Sequence, residues 1–296
     1  LTKGPMQMHV NDLASAEVDA LAAFLGGSAS ASVAVKVCEQ STIPTARPIL
    51  AGWSLNARGT RFIPEHVAQL TAADVAKLTL KWVFAYPGAT RARSQPTPYG
   101  QSILVGSQDG SVYALDLDTG CAHWTFKAAV EVRTAVSVND PGDRAFFGDL
   151  QGYVYAIDPR SGDEIWRVRA SDHADATITG SPRLYKEILY VPLSSSEWGT
   201  AADPGYACCT FRGAVVALAA ATGEVLWTAY AIEAEPKATG TNNALGIPQY
   251  HPAGAPIWNS PTIDEQRNLL YVGTGEAYTS PAADTSDSVL AFDLET

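Results

Sequence analysis

A recurring segment constrains the fold of this chain more than any other feature. Its copies lie at 110–126, 152–168 and 213–229, and a further copy begins at 287–296. Trp82, Trp124 and Trp166 follow one another at intervals of 42 residues, and Trp227 comes 61 residues after Trp166. A period of about 40 residues is typical of β-propellers, in which each repeat forms a blade of four short strands.

The residues inside each copy support the same fold. An alternating strand such as VYALD leads into a turn whose glycine can adopt a positive φ, and a second strand ends in tryptophan. Apolar strands such as SILVGS and AFFGDL precede the first two copies. We therefore predict an all-β fold, a β-propeller with about four blades in this chain, the fourth of them truncated. A β-sandwich, the alternative, does not explain a tryptophan at constant spacing.

Regions outside the repeat divide the rest of the chain. A helix that begins near Asn11 or Ser15 and stops at Gly26 is predicted within 1–30, because apolar residues recur there at helical spacing. A linker at 31–50 then leads to the repeat at 51–296, which gives two domains. Two inserts, at 194–212 and 232–256, interrupt the period. Long inserts in repeat proteins commonly lie on one face and carry function.

Charge and composition exclude several function classes. The chain has 296 residues, 46% of them hydrophobic, and a net charge of −11, which repels phosphate backbones and anionic lipid. We therefore expect no nucleic-acid partner, and no apolar run is long enough for a membrane span. The four cysteines lack any C-x-x-C spacing, so they fit two disulfides in an oxidising compartment or four buried thiols in the cytosol.

Several motifs together resemble one enzyme family. They are the repeat pattern A-x-D-x-x-T-G-x-x-x-W, TITGSPRLYKEILYVPLSSSEWG at 177–199, CCTFRG at 208–213 and APIWNSPTIDEQRNLLYVGTGE at 255–276. Together they resemble the pyrroloquinoline quinone (PQQ) dependent alcohol dehydrogenases, most closely the polyvinyl alcohol dehydrogenase and cytochrome-fused types. The resemblance implies an eight-bladed propeller of which this chain holds the first half.

The resemblance also gives the N-terminal segment a meaning. It implies that 1–30 is the C-terminal remnant of a cytochrome c domain, in which Met6, or alternatively Met8, is the axial ligand of haem c in the full-length protein. A thioether ligand raises the potential of haem iron. The C-x-x-C-H that would hold the haem is absent from this chain. For a methionine near a helix, ordinary packing is the alternative.

The family's cofactor needs two flat covers, a cation and donors for its carboxylates. Cys208 and Cys209 are adjacent, so a disulfide between them would close no useful chain loop, and the resemblance implies that it covers one face of PQQ. Trp258 would cover the other face, and Arg133 would pair with a PQQ carboxylate. The resemblance further gives hydrogen bonds to the cofactor to three hydroxyl residues, Thr177, Thr179 and Ser181.

Acidic residues supply the remaining roles that the resemblance implies. Glu197 and Glu276 follow apolar strands and match the family's Ca²⁺ positions, where a solvated surface carboxylate is the alternative. The general base that takes the alcohol proton would be Asp287, or else Asp284. Where several relatives carry Glu, this chain has Arg93. Cys38 and Cys121 remain, and their pairing would tie the linker to the first blade.

Two functions of different classes follow. The first is PQQ- and Ca²⁺-dependent oxidation of a small or polymeric alcohol, a secondary alcohol or polyvinyl alcohol, in the periplasm or after secretion, with cytochrome c as electron acceptor. The alternative is a non-catalytic propeller scaffold like those of outer-membrane assembly lipoproteins, which share the repeat. A scaffold needs neither the cysteine doublet nor acids after the strands, so these features favour the enzyme.

Overall fold

A computed structural model describes residues 14–17, 19, 34–48 and 52–295. The chain divides into two compact units, Leu1–Ala34 and Val35–Thr296. Residues 15–17 and 19, within the predicted N-terminal helix, are helical, whereas Met6, Met8 and most of that helix lie outside the described residues. The assignment of 1–30 to a cytochrome c domain therefore stays a prediction.

The first two blades are four-stranded antiparallel sheets whose strands lie in chain order. The first contains β1 (Thr97–Tyr99), β2 (Ser102–Gly106), β3 (Ser111–Asp116) and β4 (Ala122–Lys127). The second contains β5 (Ser137–Val138), β6 (Ala145–Gly148), β7 (Tyr153–Ile157) and β8 (Glu164–Arg169). These strands confirm the predicted strand–turn–strand unit of the repeat.

The third and fourth sheets belong to the inserted part of the repeat. The third contains β10 (Arg183–Tyr185), β11 (Ile188–Ser195), β12 (Ala214–Ala219) and β13 (Val225–Tyr230), and β9 (Ala176–Thr177) pairs with the end of β11. The fourth contains β16 (Thr262–Asp264), β17 (Leu269–Gly273) and β18 (Val289–Asp293). The described residues thus form three complete blades and part of a fourth, as predicted.

The remaining elements are short. Within 52–295 there are three single-turn helices: α1 (Glu65–Ala68), α2 (Ala72–Val75) and α3 (Glu197–Thr200). The second insert forms a separate hairpin of β14 (Lys237–Asn242) and β15 (Pro248–His251). In the described part of the chain, no helix has the length and hydropathy needed to cross a bilayer.

The repeated tryptophans join one blade to the next. The indole nitrogen of Trp124 donates to the carbonyl of Pro159 at 3.1 Å, and Trp82 and Trp166 make the same bond to Leu117 and Ala220. Each acceptor lies in the turn of the following blade. The constant spacing of these tryptophans therefore reflects one docking contact, which Trp82 makes from the segment before the first blade and which Trp124 and Trp166 make at the next two boundaries.

Apolar side chains fill the space between neighbouring sheets. One buried cluster, between the first and second blades, includes Leu104, Val112 and Phe147. Another, between the second and third blades, includes Phe146 and Leu189. The third strands of the second and third blades, β7 and β12, are almost entirely buried, which explains their continuous apolar sequence. This packing fixes the loops at the strand ends, where the candidate site lies.

The segment at 35–48 is fastened to the first blade. Cys38 and Cys121 form a disulfide, a pairing that the sequence left open. The backbone N–H of Cys38 donates to Ala122, and Ala122 donates in turn to Lys36. The linker residues described here therefore continue the hydrogen bonding of β4.

Candidate functional site

A cavity of about 550 Å³ lies where loops of the second, third and fourth sheets meet the segment that precedes the first blade. Four residues predicted to contact a cofactor line it: Arg133, Thr179, Ser181 and Trp258. Its other lining residues are Trp53, Ser54, Gly59, Arg61, Arg93, Gly180, Arg183, Asn259, Ser260 and Thr262. Residues separated by more than 100 positions in the sequence thus come together in one cavity.

Trp258 presents its ring to this cavity. Its side chain is 60% exposed, while Ile257 before it is fully buried and donates its N–H to Leu193 at the end of β11. The Thr179 hydroxyl donates to the carbonyl of Trp258 at 3.4 Å. A Cβ on Gly275 would lie 3.1 Å from the indole nitrogen, so the glycine lets the ring approach the backbone. Trp258 is therefore held at its base, with an open aromatic face.

Arg133 lies half-buried in the same cavity. Burial lowers the pKa of its guanidinium, and the neighbouring Arg93 lowers it further. No described residue forms an ion pair or hydrogen bond with its side chain. A partly desolvated guanidinium without an acceptor is suited to a carboxylate ligand.

The three predicted hydroxyl residues have different surroundings. The Ser181 hydroxyl is buried and accepts the N–H of Ala135 at 2.8 Å, so it braces the lining. Thr179 lines the cavity beside Trp258. Thr177 is buried in β9, paired with Ser194, and does not line the cavity.

The cysteine doublet forms a disulfide beside a second group of site residues. Cys208 and Cys209 are bonded to each other, and Cys209 is buried. The carbonyl of Cys208 accepts the N–H of Tyr250 from the second insert at 2.9 Å. The prediction that the two thiols pair is confirmed, but the disulfide does not line the cavity that contains Trp258.

Glu197 is fully buried at the start of α3. Its carboxylate accepts the hydroxyl of Tyr206 at 2.8 Å and the backbone N–H groups of Thr210 and Phe211 at 2.7 and 2.9 Å. Burial opposes ionisation, but the hydrogen bonds from His173, from these two backbone groups and from Tyr206 outweigh it and lower the pKa of Glu197. An ionised carboxylate thus stands directly after β11, next to the disulfide loop.

The other predicted acids are exposed. The backbone carbonyl of Glu276 accepts the N–H of Ala255. Its carboxylate makes no hydrogen bond or ion pair with a described residue. Asp287 has a φ of 49° and donates its N–H to Gly275, so it lies close to Glu276 along the backbone. Neither Asp284 nor Asp287 lines the cavity with Trp258. Asp287 and Trp258 nevertheless share a neighbour, because Gly275 accepts the N–H of Asp287 at 2.9 Å and its Cβ position lies 3.1 Å from the indole nitrogen of Trp258.

Two features of the site were not predicted from the sequence. Arg183 lines the cavity although its neighbours in SPRLY suggest an ordinary strand. Tyr278 has a buried hydroxyl without a described hydrogen-bond partner, and burial, together with the charge of Glu276, raises its pKa. Only burial distinguishes these residues, and a single sequence does not show burial directly.

Comparison with known proteins identifies the family. A family model described as outer membrane protein assembly factor BamB matches 17–200 and 151–295, which reflects the repeat. A polyvinylalcohol dehydrogenase of a Pseudomonas species is 40% identical over 251 residues, 83% of this chain and 38% of that protein. One from Sphingopyxis sp. (strain 113P3) matches to the same extent. The chain belongs to the PQQ-dependent alcohol dehydrogenase family.

A solved member of the family shares the fold. A quinohemoprotein alcohol dehydrogenase of Pseudomonas putida HK5 superposes with a TM-score of 0.67 at 21% identity, over 88% of this chain and 42% of that chain. The present chain thus spans about two fifths of the length of the relatives it matches. The dehydrogenase fold agrees with the partial propeller described above.

The cavity fits the quinone of this dehydrogenase family. Its volume lies within the range of small-molecule sites, and it offers an open aromatic face beside a guanidinium that has no acceptor. A flat carboxylated ring needs both features. PQQ therefore suits the residues present.

The described residues offer few ligands for a Ca²⁺ ion. Among the described residues, no group of three or more His, Cys, Asp and Glu side chains could hold a metal ion. Glu197 supplies an ionised oxygen donor and Glu276 a second carboxylate, both close enough to raise the pKa of Tyr278 after burial. Since Ca²⁺ takes six to eight oxygens, the quinone or further backbone oxygens would have to complete the site.

Proposed function

We propose that this chain supplies the quinone-binding part of a PQQ- and Ca²⁺-dependent alcohol dehydrogenase. The observation that carries the proposal is the cavity that combines the open ring of Trp258 with the unpaired guanidinium of Arg133. The identity to polyvinylalcohol dehydrogenases supports an alcohol, polymeric or secondary, as the substrate class.

Each site residue has a distinct task in this proposal. Trp258 would cover one face of the quinone, and Arg133 would fix a carboxylate at its edge. Thr179 would keep the backbone of Trp258 in place through its hydrogen bond. When bound, PQQ accepts the hydride that leaves the alcohol carbon. The protein's part is to orient the ring and to neutralise its carboxylates.

Glu197 and Glu276 would hold Ca²⁺ beside the quinone. Glu197 is suited to this because its hydrogen bonds keep it ionised although it is fully buried. Thr210, which follows the Cys208–Cys209 disulfide in the chain, donates its backbone N–H to Glu197. The disulfide would therefore lie at the border of the same region. The choice of Asp287 or Asp284 as base stays a prediction, because both are exposed and outside the lining.

Electron transfer and location complete the proposal. Electrons would pass to a cytochrome c, for which Met6 or Met8 would be the axial ligand of haem c in the full-length protein. The two disulfides support an oxidising compartment, the periplasm or the extracellular space. The description of the matching family model supports the scaffold alternative. The repeat alone is sufficient to explain that match, however.

Dye-linked alcohol oxidation tests this function. The full-length protein is loaded with PQQ and Ca²⁺ and assayed with a secondary alcohol and with polyvinyl alcohol, alongside its Trp258→Ala and Arg133→Met variants. Phe62→Ala is the control, because Phe62 is also an exposed aromatic residue (69%) but lies outside the cavity lining. We expect turnover that falls at least tenfold in both site variants and is unchanged in the control. No turnover with saturating cofactor would favour the scaffold.

A further inference from the structure

The cavity around Trp258 is strongly basic in an otherwise acidic protein. Four arginines line it, Arg61, Arg93, Arg133 and Arg183, and none of its lining residues is Asp, Glu or His. The whole chain has a net charge of −11. Like charges gathered in a cleft repel one another and focus a positive potential there. An anionic ligand would relieve this repulsion.

Arg183 is the most unusual of the four. Only 3% of its surface is exposed, and it forms no ion pair with any described residue. Its Nε donates to the carbonyl of Pro261 at 3.2 Å, and Nη2 donates to the carbonyl of Trp53 at 2.9 Å. Burial lowers the pKa of Arg183 to about 10. Burying a charge without a counterion is costly, and carbonyl dipoles offset only part of that cost.

The remaining donors of Arg183 are available to a ligand. A guanidinium has five N–H groups, and Nη1 of Arg183 makes no hydrogen bond to a described residue. The side chain is fixed by its two carbonyl partners and borders the cavity. A positioned donor of this kind loses little side-chain entropy when it binds a carboxylate.

Arg91, which does not line the cavity, has the acidic partner that the lining arginines lack. Arg91 is paired with the buried carboxylate of Glu131 through two nitrogens, and this pairing raises the pKa of Arg91. Arg93, two residues later, and Arg133 lack such a partner among the described residues. The chain therefore supplies an acid for the arginine outside the cavity but none for those that line it.

We propose that Arg93 and Arg183 act with Arg133 as a clamp for a planar polycarboxylate, and that they neutralise further carboxylates of PQQ. This inference rests on the proposed function for the identity of the ligand. The clamp itself requires only a flat ring with at least two carboxylates. It also gives a role to Arg93, which has no acidic partner among the described residues.

Equilibrium dialysis of the 296-residue protein tests the clamp. The two probes are PQQ and benzene-1,2,4-tricarboxylate, a flat tricarboxylate without a quinone. The variants are Arg93→Glu, Arg183→Met and Arg183→Lys, and Arg47→Glu is the matched control because Arg47 is exposed and is not a lining residue. We expect both probes to bind at least tenfold more weakly to Arg93→Glu and Arg183→Met, less weakly to Arg183→Lys, and within twofold of wild type to the control.

The outcomes separate this clamp from the enzyme function. Affinity unchanged in both Arg93→Glu and Arg183→Met, or no binding of either probe to wild type, overturns the clamp. If Arg183→Met fails to fold, Arg93→Glu decides, because Arg93 is exposed and bears no structural hydrogen bond to a described residue. Arginine-dependent binding of the tricarboxylate without alcohol oxidation would sink the dehydrogenase function and leave the clamp standing.

Discussion

The ring of Trp124 lies directly over Gly162, the turn glycine of the next blade. A Cβ on Gly162 would lie 2.8 Å from this ring, and a Cβ on Gly120 or Gly223 would lie equally close to the ring of Trp82 or Trp166. The turn glycines also have positive φ angles, 79° for Gly162. Tryptophan and glycine thus form one contact that occurs three times, once between the first blade and the segment before it and twice between neighbouring blades.

Replacing Gly162 with Ala should destabilise the propeller, because the added methyl overlaps the Trp124 ring. Gly246→Ala is the matched control: its φ of 81° imposes the same backbone penalty, but nothing lies within 4 Å of its Cβ position. We expect Gly162→Ala to lose about 1–3 kcal/mol more free energy of unfolding than the control. Urea denaturation measures both, and equal losses would show that the ring contact does not contribute.

The two disulfides should differ greatly in their effect on stability. Cys38 and Cys121 are 83 residues apart, so their bond restricts the unfolded chain and stabilises by about 4–5 kcal/mol in the chain-entropy model. Cys208 and Cys209 are adjacent and close no loop. The double Ser variant of the first pair should therefore melt at a much lower temperature than that of the second. Calorimetry that gave equal melting temperatures would contradict this assignment.

Asp116 should make the free energy of unfolding decrease at acid pH. The Thr119 hydroxyl and the backbone N–H groups of Thr119 and Asp118 lower its pKa from the ordinary 3.8. A lowered folded-state pKa gives stability that is present above pH 3.8 and lost as the pH falls through the folded value. Between pH 5 and pH 2, wild type should lose more stability than Asp116→Asn.

Urea midpoints at several pH values measure this loss. Asp172→Asn is the control, because Asp172 is exposed and has no hydrogen bond or ion pair to a described residue. It should follow the wild-type pH dependence. Parallel curves for wild type and Asp116→Asn would rule out a contribution from the Asp116 turn.

The propeller could be predicted from the sequence because its determinants are local and repeated. The contact between Trp124 and Gly162 requires a tryptophan and a glycine at fixed positions in every unit, and both are visible in the sequence. Apolar strands such as β6 and β11 are likewise short continuous runs. The hairpin at 237–251 was not predicted, because its strands are exposed and lack apolar alternation.

The candidate site was predictable only in part. Trp258 stood out because it breaks the tryptophan spacing, and the structure places it in a cavity with Arg133. Arg183 did not stand out, since nothing in SPRLY indicates a buried charge. The relation of the Cys208–Cys209 disulfide to the cavity depends on how the two inserts fold, which pattern alone does not fix.

The affinity of this protein for PQQ in the presence of Ca²⁺ tests the central claim most directly. Calorimetric titration of wild type, Trp258→Ala and Arg133→Met, with Phe62→Ala as control, compares the two cavity residues with an exposed aromatic residue outside the lining. The account predicts binding by wild type and the control, and at least tenfold weaker binding by each cavity variant, about 1.4 kcal/mol or more. The absence of binding to wild type, or equal affinity in all four proteins, would contradict it.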